Sequence, residues 1–269
     1  MMKISIAGLM IFIWMVGISF GQTKVFIQKN RYNKKIQSST KFIDYKFLGG
    51  YYIDRNRKNV IDLTQVREGV AKIFPNRNDL GVLCVDLENK LYSDLKKNSN
   101  SPDFNRALKE FSSLVDFIKN LRPNVKVGIY GIPFSFNYSA QKNVNNFAKI
   151  KPLLDKVDFI SPSLYMAYSE EQFSDEKAKL FIESNLSLFL DYSKKASKPL
   201  YLYVWYKVHP SNKKYGLSNM SQSRMNLYLT TINNFRYNGK KVDGLIWWEP
   251  AKNTGTPVDI NSILESNFN

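Results

Sequence analysis

Six short apolar runs constrain this chain more than any other feature. They are Phe47–Ile53, Gly81–Leu87, Val125–Ile132, Val157–Leu164, Leu200–Tyr206 and Val242–Trp248. They are rich in Val, Ile, Tyr, Phe and Trp, and turn-forming Gly, Pro or Asp bound them. Continuous runs of this length read as strands buried on both faces, as in parallel sheets. Between them, apolar residues recur at helical spacing. Phe104, Leu108, Phe111, Leu114, Val115, Ile118 and Leu121 form the clearest stripe, with Pro102 and Asp103 at its start and Pro123 past its end. Leu180, Ile182 and Leu186–Leu190 lie in a second stripe, and Met225, Leu227, Leu229, Ile232 and Phe235 in a third.

Strand and helix alternating in this way imply βαβ crossovers within one sheet. At 269 residues the chain has the size of an α/β barrel, for which about 250 residues is typical. The expected fold is therefore α/β, a distorted TIM-like (β/α) barrel with one or two irregular strands; a doubly wound open sheet is the alternative. No repeat, linker or shift of composition interrupts residues 42–269, which read as a single catalytic domain. Residues 23–41 are polar and basic and read as an N-terminal arm.

Composition removes several classes. A hydrophobic fraction of 43% supports a real core. One cysteine, Cys84, forms no internal disulfide, and with the single histidine, His209, it makes no structural zinc site. Cys84 reads as a small core residue rather than a nucleophile. No Gly-x-x-x-x-Gly-Lys phosphate loop occurs, and Ser135, Ser161 and Ser163 lack His–acid partners at suggestive spacing. No cofactor and no metal are expected.

Lys3, the apolar run Ile4–Phe20 and small Gly21 form the pattern of a secretory signal peptide over residues 1–22. The alternative, a membrane anchor, is suggested by the length of the run. Export, to the periplasm or the exterior, is the expected localisation, without stable membrane insertion and as a monomer. The formal charge of +16 points to a polyanionic partner. Export turns that expectation away from nucleic acid and toward an acidic polysaccharide.

In both α/β layouts, chemistry sits at the carboxyl ends of the strands. The second run ends in Asp86-Leu87-Glu88. Side chains two apart on a strand point the same way, so the two carboxyls project together. Neighbouring carboxylates in an apolar surround raise one another's pKa, which keeps an acid protonated and able to donate. The bland alternative is that they cap a turn or pair with lysines. The other strand ends present Tyr130, Asn137, Tyr165, Tyr203, Trp205, Trp247, Trp248 and Glu249. Aromatic rings with polar handles suit sugars, whose faces stack and whose hydroxyls hydrogen-bond.

In chain order, Asp86-x-Glu88, Tyr130-Gly131-x-Pro133 with Asn137, Pro162-Ser163-x-Tyr165, Pro199-x-Tyr201-x-Tyr203 and Gly244-x-x-x-Trp248 (or Trp247) resemble the hyaluronidase family of glycoside hydrolases. The likeness spans residues 45–250. It implies a distorted barrel that cleaves β-linked N-acetylhexosamine bonds in glycosaminoglycans, with Glu88 as proton donor and Asp86 beside it. It also implies substrate-contacting roles for Tyr130 and Trp247, and a substrate-assisted mechanism in which Tyr165 orients the acetamido group. Three departures stand out. The disulfides of animal members are absent, Trp205-Tyr206-Lys207 stands where many members have Arg-Pro, and Phe136 replaces a Tyr.

Glu249 is the sequence's best candidate for a covalent nucleophile, since a retaining glycosidase of that kind needs a second carboxylate. His209, alone in a loop, reads as a surface or capping residue. The expected function is a secreted glycoside hydrolase on an N-acetylhexosamine-containing, anionic polysaccharide of the hyaluronan or chondroitin kind. A noncatalytic glycan-binding or adhesion protein is the alternative.

Overall fold

The structure, a computed structural model, describes residues 23–28, 42–136, 144–249 and 262. The expected signal segment lies outside them.

Among the described residues, seven strands fall into two all-parallel sheets. They are β1 (Lys24–Ile27), β2 (Phe42–Asp44), β3 (Lys46–Gly49), β4 (Gly81–Asp86), β5 (Val125–Ile129), β6 (Tyr201–Val204) and β7 (Gly244–Trp247). One sheet has the order β2-β1-β7-β6 and the other β3-β4-β5. Gly49 pairs with Asp86 at the carboxyl end of β3 and β4, and Val204 with Trp247 at the end of β6 and β7. Parallel pairing gathers the strand ends of each sheet on one side, where Asp86 and Trp247 sit. Among the described residues no helix is long and apolar enough to cross a membrane.

Two expectations are corrected. The segment 23–41 is not only an arm, because it supplies β1, an interior strand between β2 and β7 whose Ile27 is wholly buried. Val25-Phe26-Ile27 is a short apolar run between Lys24 and Gln28, and its strand character comes from partners on both sides. Conversely, Val157–Leu164 is not a continuous strand. It makes isolated parallel bridges, Tyr130 to Ser161, Ile160 to Leu200 and Ser163 to Tyr203. Pro162 lies in its middle and has no N–H for a ladder, although its carbonyl still accepts from the Tyr203 amide at 3.0 Å.

Helices α1 (Leu63–Ile73), α2 (Lys90–Asp94), α3 (Pro102–Leu121), α4 (Phe147–Lys156), α5 (Asp175–Ala196) and α6 (Gln222–Asn234) cover the strands. The three expected stripes fall in α3, α5 and α6. In α3, Phe104, Phe111, Leu114, Val115 and Ile118 are buried. In α5, Leu180 is the exception at 63% exposure, while Ile182, Leu186 and Leu188 to Leu190 face the core. One continuous core of strand and helix side chains makes a single α/β domain.

Candidate active site

The site is assembled where β4 ends. Gly81–Asp86 carries buried Leu83, Cys84 and Val85, so the strand is anchored as far as its last residue. Leu87 then turns inward, Glu88 emerges, and Asn89 caps α2 by accepting from the amides of Leu91 and Tyr92 at 3.0 and 3.4 Å. That cap fixes the path of the chain just past Glu88. Buried Asp94 at the other end of α2 draws in Lys90, Lys97 and Arg106, which ties the short helix to α3.

Asp86 and Glu88 both line a cleft of about 150 Å³ with Phe47, Tyr130, Tyr165, Tyr203, Trp205, His209, Pro210 and Trp248. Burial, and then the neighbouring Glu88, raise the Asp86 pKa to about 7. Its Oδ1 is buried with no hydrogen-bond partner, which leaves an acceptor in want of a proton or a ligand. Glu88 reaches the surface at the mouth of the cleft. Protein on its other sides still raises its pKa by desolvation, and Lys96 opposes that rise. The Lys96 ammonium lies over the rings of Tyr92 and Phe134, at 5.3 and 5.0 Å from their centroids. The arrangement is one in which a carboxylic acid stays protonated near neutral pH.

A cluster of tyrosines forms the floor. The Tyr130 ring meets Tyr203 edge-on at 4.9 Å and tilts against Tyr165 at 6.3 Å. The Tyr130 hydroxyl lies near the side chains of Ser163 and Tyr165. Burial holds the hydroxyls of Tyr130, Tyr165 and Tyr203 far above the ordinary tyrosine range, so all three stay protonated donors. The motifs acquire physical reasons here. Gly131 has φ +76°, and a Cβ there would lie 2.2 Å from the Tyr92 hydroxyl, which donates to the Gly131 carbonyl at 3.1 Å. Only glycine fits both demands. Tyr228 of α6 donates to the Leu164 carbonyl at 2.7 Å, securing the segment that carries Tyr165.

Of the residues expected in the site, the structure brings together Asp86, Glu88, Tyr130, Tyr165, Tyr203 and Trp205. The Trp205 indole N–H is buried without a partner. Asn137 lies outside the described residues. Trp247 is not in the cleft: it is fully buried, its ring stacked on Tyr206 at 6.1 Å, and Trp248 lines the cleft in its place. Glu249 is also absent from the lining. Its Oε1 accepts from the Tyr206 hydroxyl at 3.0 Å. Cys84 is buried and its thiol is pushed up to about 12 by burial, which makes it inert.

Phe47 and His209 in the wall escaped the sequence reading. Phe47 and Trp248 pack together at 5.2 Å across the cleft edge. His209 stacks on Tyr165 at 5.9 Å. Burial lowers its pKa, and its Nδ1 accepts from the Ser211 amide, which leaves Nε2 as the donor of the neutral ring. Being the chain's sole histidine was its one signal. Among the described residues no cluster of three His, Cys, Asp or Glu side chains is placed to hold a metal.

No family model matches the chain, and no curated protein matches it by sequence. Solved structures do resemble it. Bee venom hyaluronidase in a monoclinic crystal aligns with a TM-score of 0.63 at 13% identity, over 86% of this chain and 92% of that one. The same enzyme in complex with a hyaluronic acid tetramer aligns with a TM-score of 0.64 at 14% identity, over 84% and 90%. At such identity the likeness is one of architecture: this chain has an α/β fold similar to that of bee venom hyaluronidase.

Proposed function

We propose that this protein is a glycoside hydrolase that cleaves next to an N-acetylhexosamine in an anionic polysaccharide, with Glu88 as acid and base. The observation that carries the proposal is the Asp86–Glu88 pair, its pKa values raised, in a cleft otherwise lined by aromatic and tyrosyl side chains. A pure binder of polyanions has no use for such a pair. The solved complex of bee venom hyaluronidase with a hyaluronic acid tetramer, similar in fold, supports the choice of glycan.

The geometry favours substrate assistance over a covalent carboxylate. Two carboxyls from one strand end approach a bound sugar from the same side, whereas a nucleophile and an acid must flank the scissile bond. Among the described residues lining the cleft there is no third carboxylate. Glu88 protonates the glycosidic oxygen while the sugar's acetamido oxygen attacks the anomeric carbon and displaces the leaving group. The Tyr165 hydroxyl, always protonated, donates to and aligns that oxygen. Glu88, now ionised, takes a proton from the water that opens the cyclic intermediate. Asp86 keeps its proton while Glu88 ionises, so the pair carries one negative charge.

We also propose that the strands close into a distorted barrel. Tyr45 alone separates β2 from β3, and its amide donates to the Ile27 carbonyl at 3.0 Å, so one chain segment serves both sheets. The bridges of residues 157–164 span from Tyr130 to β6 on the other side. Residues 1–22 are proposed as an export signal, which N-terminal sequencing of the exported protein would test.

Mass spectrometry of digests of hyaluronan, chondroitin and chitin oligosaccharides tests the reaction. Products heavier by one water per cleavage are expected, and a thiazoline analogue of the cyclic intermediate should inhibit strongly, because mimics of species along the path bind far tighter than substrate. Unsaturated products would mean a lyase, and intact oligosaccharides would overturn the proposal.

A further inference from the structure

Glu88 lines two hollows, and they differ in chemistry. On one side is the aromatic cleft, lined by no Lys or Arg among the described residues. On the other is a hollow of about 550 Å³, bordered by Tyr51, Arg55, Arg57, Asn59 and Asn89. An acid that protonates a glycosidic oxygen stands between the sugars joined by that bond. We propose that the second hollow is an anion-recognition subsite that takes the carboxylate or sulfate of the sugar across the scissile bond from the one held in the aromatic cleft. This rests on the glycosidase reading and adds where, and by which residues, the acidic group is read.

Charge and preorganisation carry the assignment. A guanidinium presents a planar fork that matches a carboxylate or sulfate, as an ammonium does not. Among the described residues the Arg57 guanidinium has no ionic partner, and Arg55 meets only the exposed Glu68, at 3.3 Å. Such a surface pair is weak enough for a ligand to displace. Arg55 also lies over the ring of Tyr51, 4.7 Å from its centroid, and Tyr51 is 63% exposed. Ring and cation thus form one platform for a sugar face and its acidic substituent.

The turn bearing these side chains is built rather than loose. The buried Asp54 carboxylate accepts from the amides of Lys58 and Asn59 at 2.8 and 2.9 Å and from Asn89 Nδ2 at 3.0 Å. Arg57 and Asn59 are held at φ of 53° and 58°, in the left-handed region that side chains seldom adopt. Because Asn89 follows Glu88 and caps α2, one side chain fixes the basic turn relative to the acid. A neighbouring hollow also holds two lysines, but Lys46 is already engaged by Asp44 at 2.7 Å.

The test is calorimetric binding of four hexasaccharides to the wild-type protein and to the doubly substituted Arg55→Gln/Arg57→Gln protein, with hydrolysis followed in parallel. The probes are hyaluronan, its carboxyl methyl ester, a chondroitin sulfate and a neutral chitin oligosaccharide. Both arginines are exposed, and circular dichroism confirms the fold. Removing two charge-assisted contacts is expected to weaken hyaluronan binding about ten- to a hundredfold and to flatten its salt dependence, leaving the chitin oligosaccharide unchanged. Loss of affinity on methyl esterification marks the carboxylate as the group read, and a preference for the sulfated probe marks the sulfate. Equal effects on charged and neutral probes, no effect, or no binding of any probe would overturn the subsite. Arginine-dependent binding without hydrolysis would keep the subsite and sink the glycosidase reading; hydrolysis indifferent to the arginines would do the reverse.

Discussion

The ends of β4 and β7 both place a glutamate beside aromatic rings, and burial raises the pKa of each. They nonetheless differ in what they lack. At β7, the Glu249 carboxylate accepts from the hydroxyl of Tyr206, and Trp247 beside it is buried. At β4, Asp86 Oδ1 is buried and unpartnered, and Glu88 opens onto the cleft. A satisfied carboxylate stabilises structure, whereas an unsatisfied one waits for a ligand. Proximity to aromatic residues and a raised pKa do not separate the two cases; the hydrogen-bond inventory does.

The sharpest way to break this contrast is to remove the acids in turn. Glu88→Gln is expected to lower turnover by roughly 10² to 10⁴, the range of general acid–base catalysis, with an unchanged far-ultraviolet spectrum. Glu249→Gln should retain near-normal turnover, since a glutamine oxygen still accepts from Tyr206, and should show only a small fall in Tm. If a 2-fluoro sugar formed an ester on Glu249, or if the Glu249 variant were the dead one, the roles assigned to the two strand ends would be exchanged.

Tyr165→Phe ranks next. It removes one donor from the cleft and keeps the ring that stacks on His209. Losing one hydrogen bond to a reacting oxygen is expected to slow turnover about 10- to 100-fold, with less change in KM. The matching change at β7, Tyr206→Phe, takes the donor from Glu249 and should leave turnover near normal while lowering Tm. Equal kinetic losses would mean that both strand ends serve the reaction.

How far the site could be read from sequence follows from the same physics. Asp86 and Glu88 were legible because their spacing at a strand end fixes their common direction. The tyrosine floor was legible through the same rule. Trp247 and Trp248 were not separable: β7 is buried on both faces, so hydrophobicity carries no mark of which parity faces the cleft. β1 was hidden because its strand character lies in its neighbours, and Val157–Leu164 looked more regular than Pro162 permits. His209, Phe47 and the Arg55–Arg57 turn join the site through loops and packing, which leave no periodic trace. The excess positive charge was plain, but its concentration beside Glu88 needed the fold.

A subtler effect is expected from the protonation of Asp86. Its pKa of about 7 lies above the ordinary value of 3.8, so between these limits the folded chain binds a proton that the unfolded chain has released. Stability from this group is therefore full below about pH 4 and declines as pH rises through 7. Asp86→Asn should remove that slope, so that its Tm advantage over wild type grows from pH 5 to pH 8. Identical pH dependence of Tm in the two proteins would show that Asp86 ionises freely in the fold. Glu249→Gln should remove a shallower slope of the same sign, because burial raises that pKa while the Tyr206 hydroxyl opposes the rise.

The smallest effect distinguishes the two neighbours of Glu88. Positive Lys96 favours its ionisation, and ionised Glu88 in turn raises the Asp86 pKa, so Asp86 still holds its proton while Glu88 titrates. An acid catalyst loses activity as pH rises through its pKa, so the alkaline limb of kcat/KM follows Glu88 in the free enzyme. Lys96→Met removes the stabilising charge, raises the Glu88 pKa and should move that limb to higher pH. Asp86→Asn replaces a protonated neighbour with a neutral amide and should leave the limb in place. The Lys96 shift is expected to be about one unit or less, because Glu88 and Lys96 both reach solvent and their interaction is screened. Met keeps the apolar stem over Tyr92 and Phe134, so packing changes little. A limb that stays put in the Lys96 variant would mean that another group sets the acid, and a limb that falls to lower pH in the Asp86 variant would mean that Asp86 is the first of the pair to ionise.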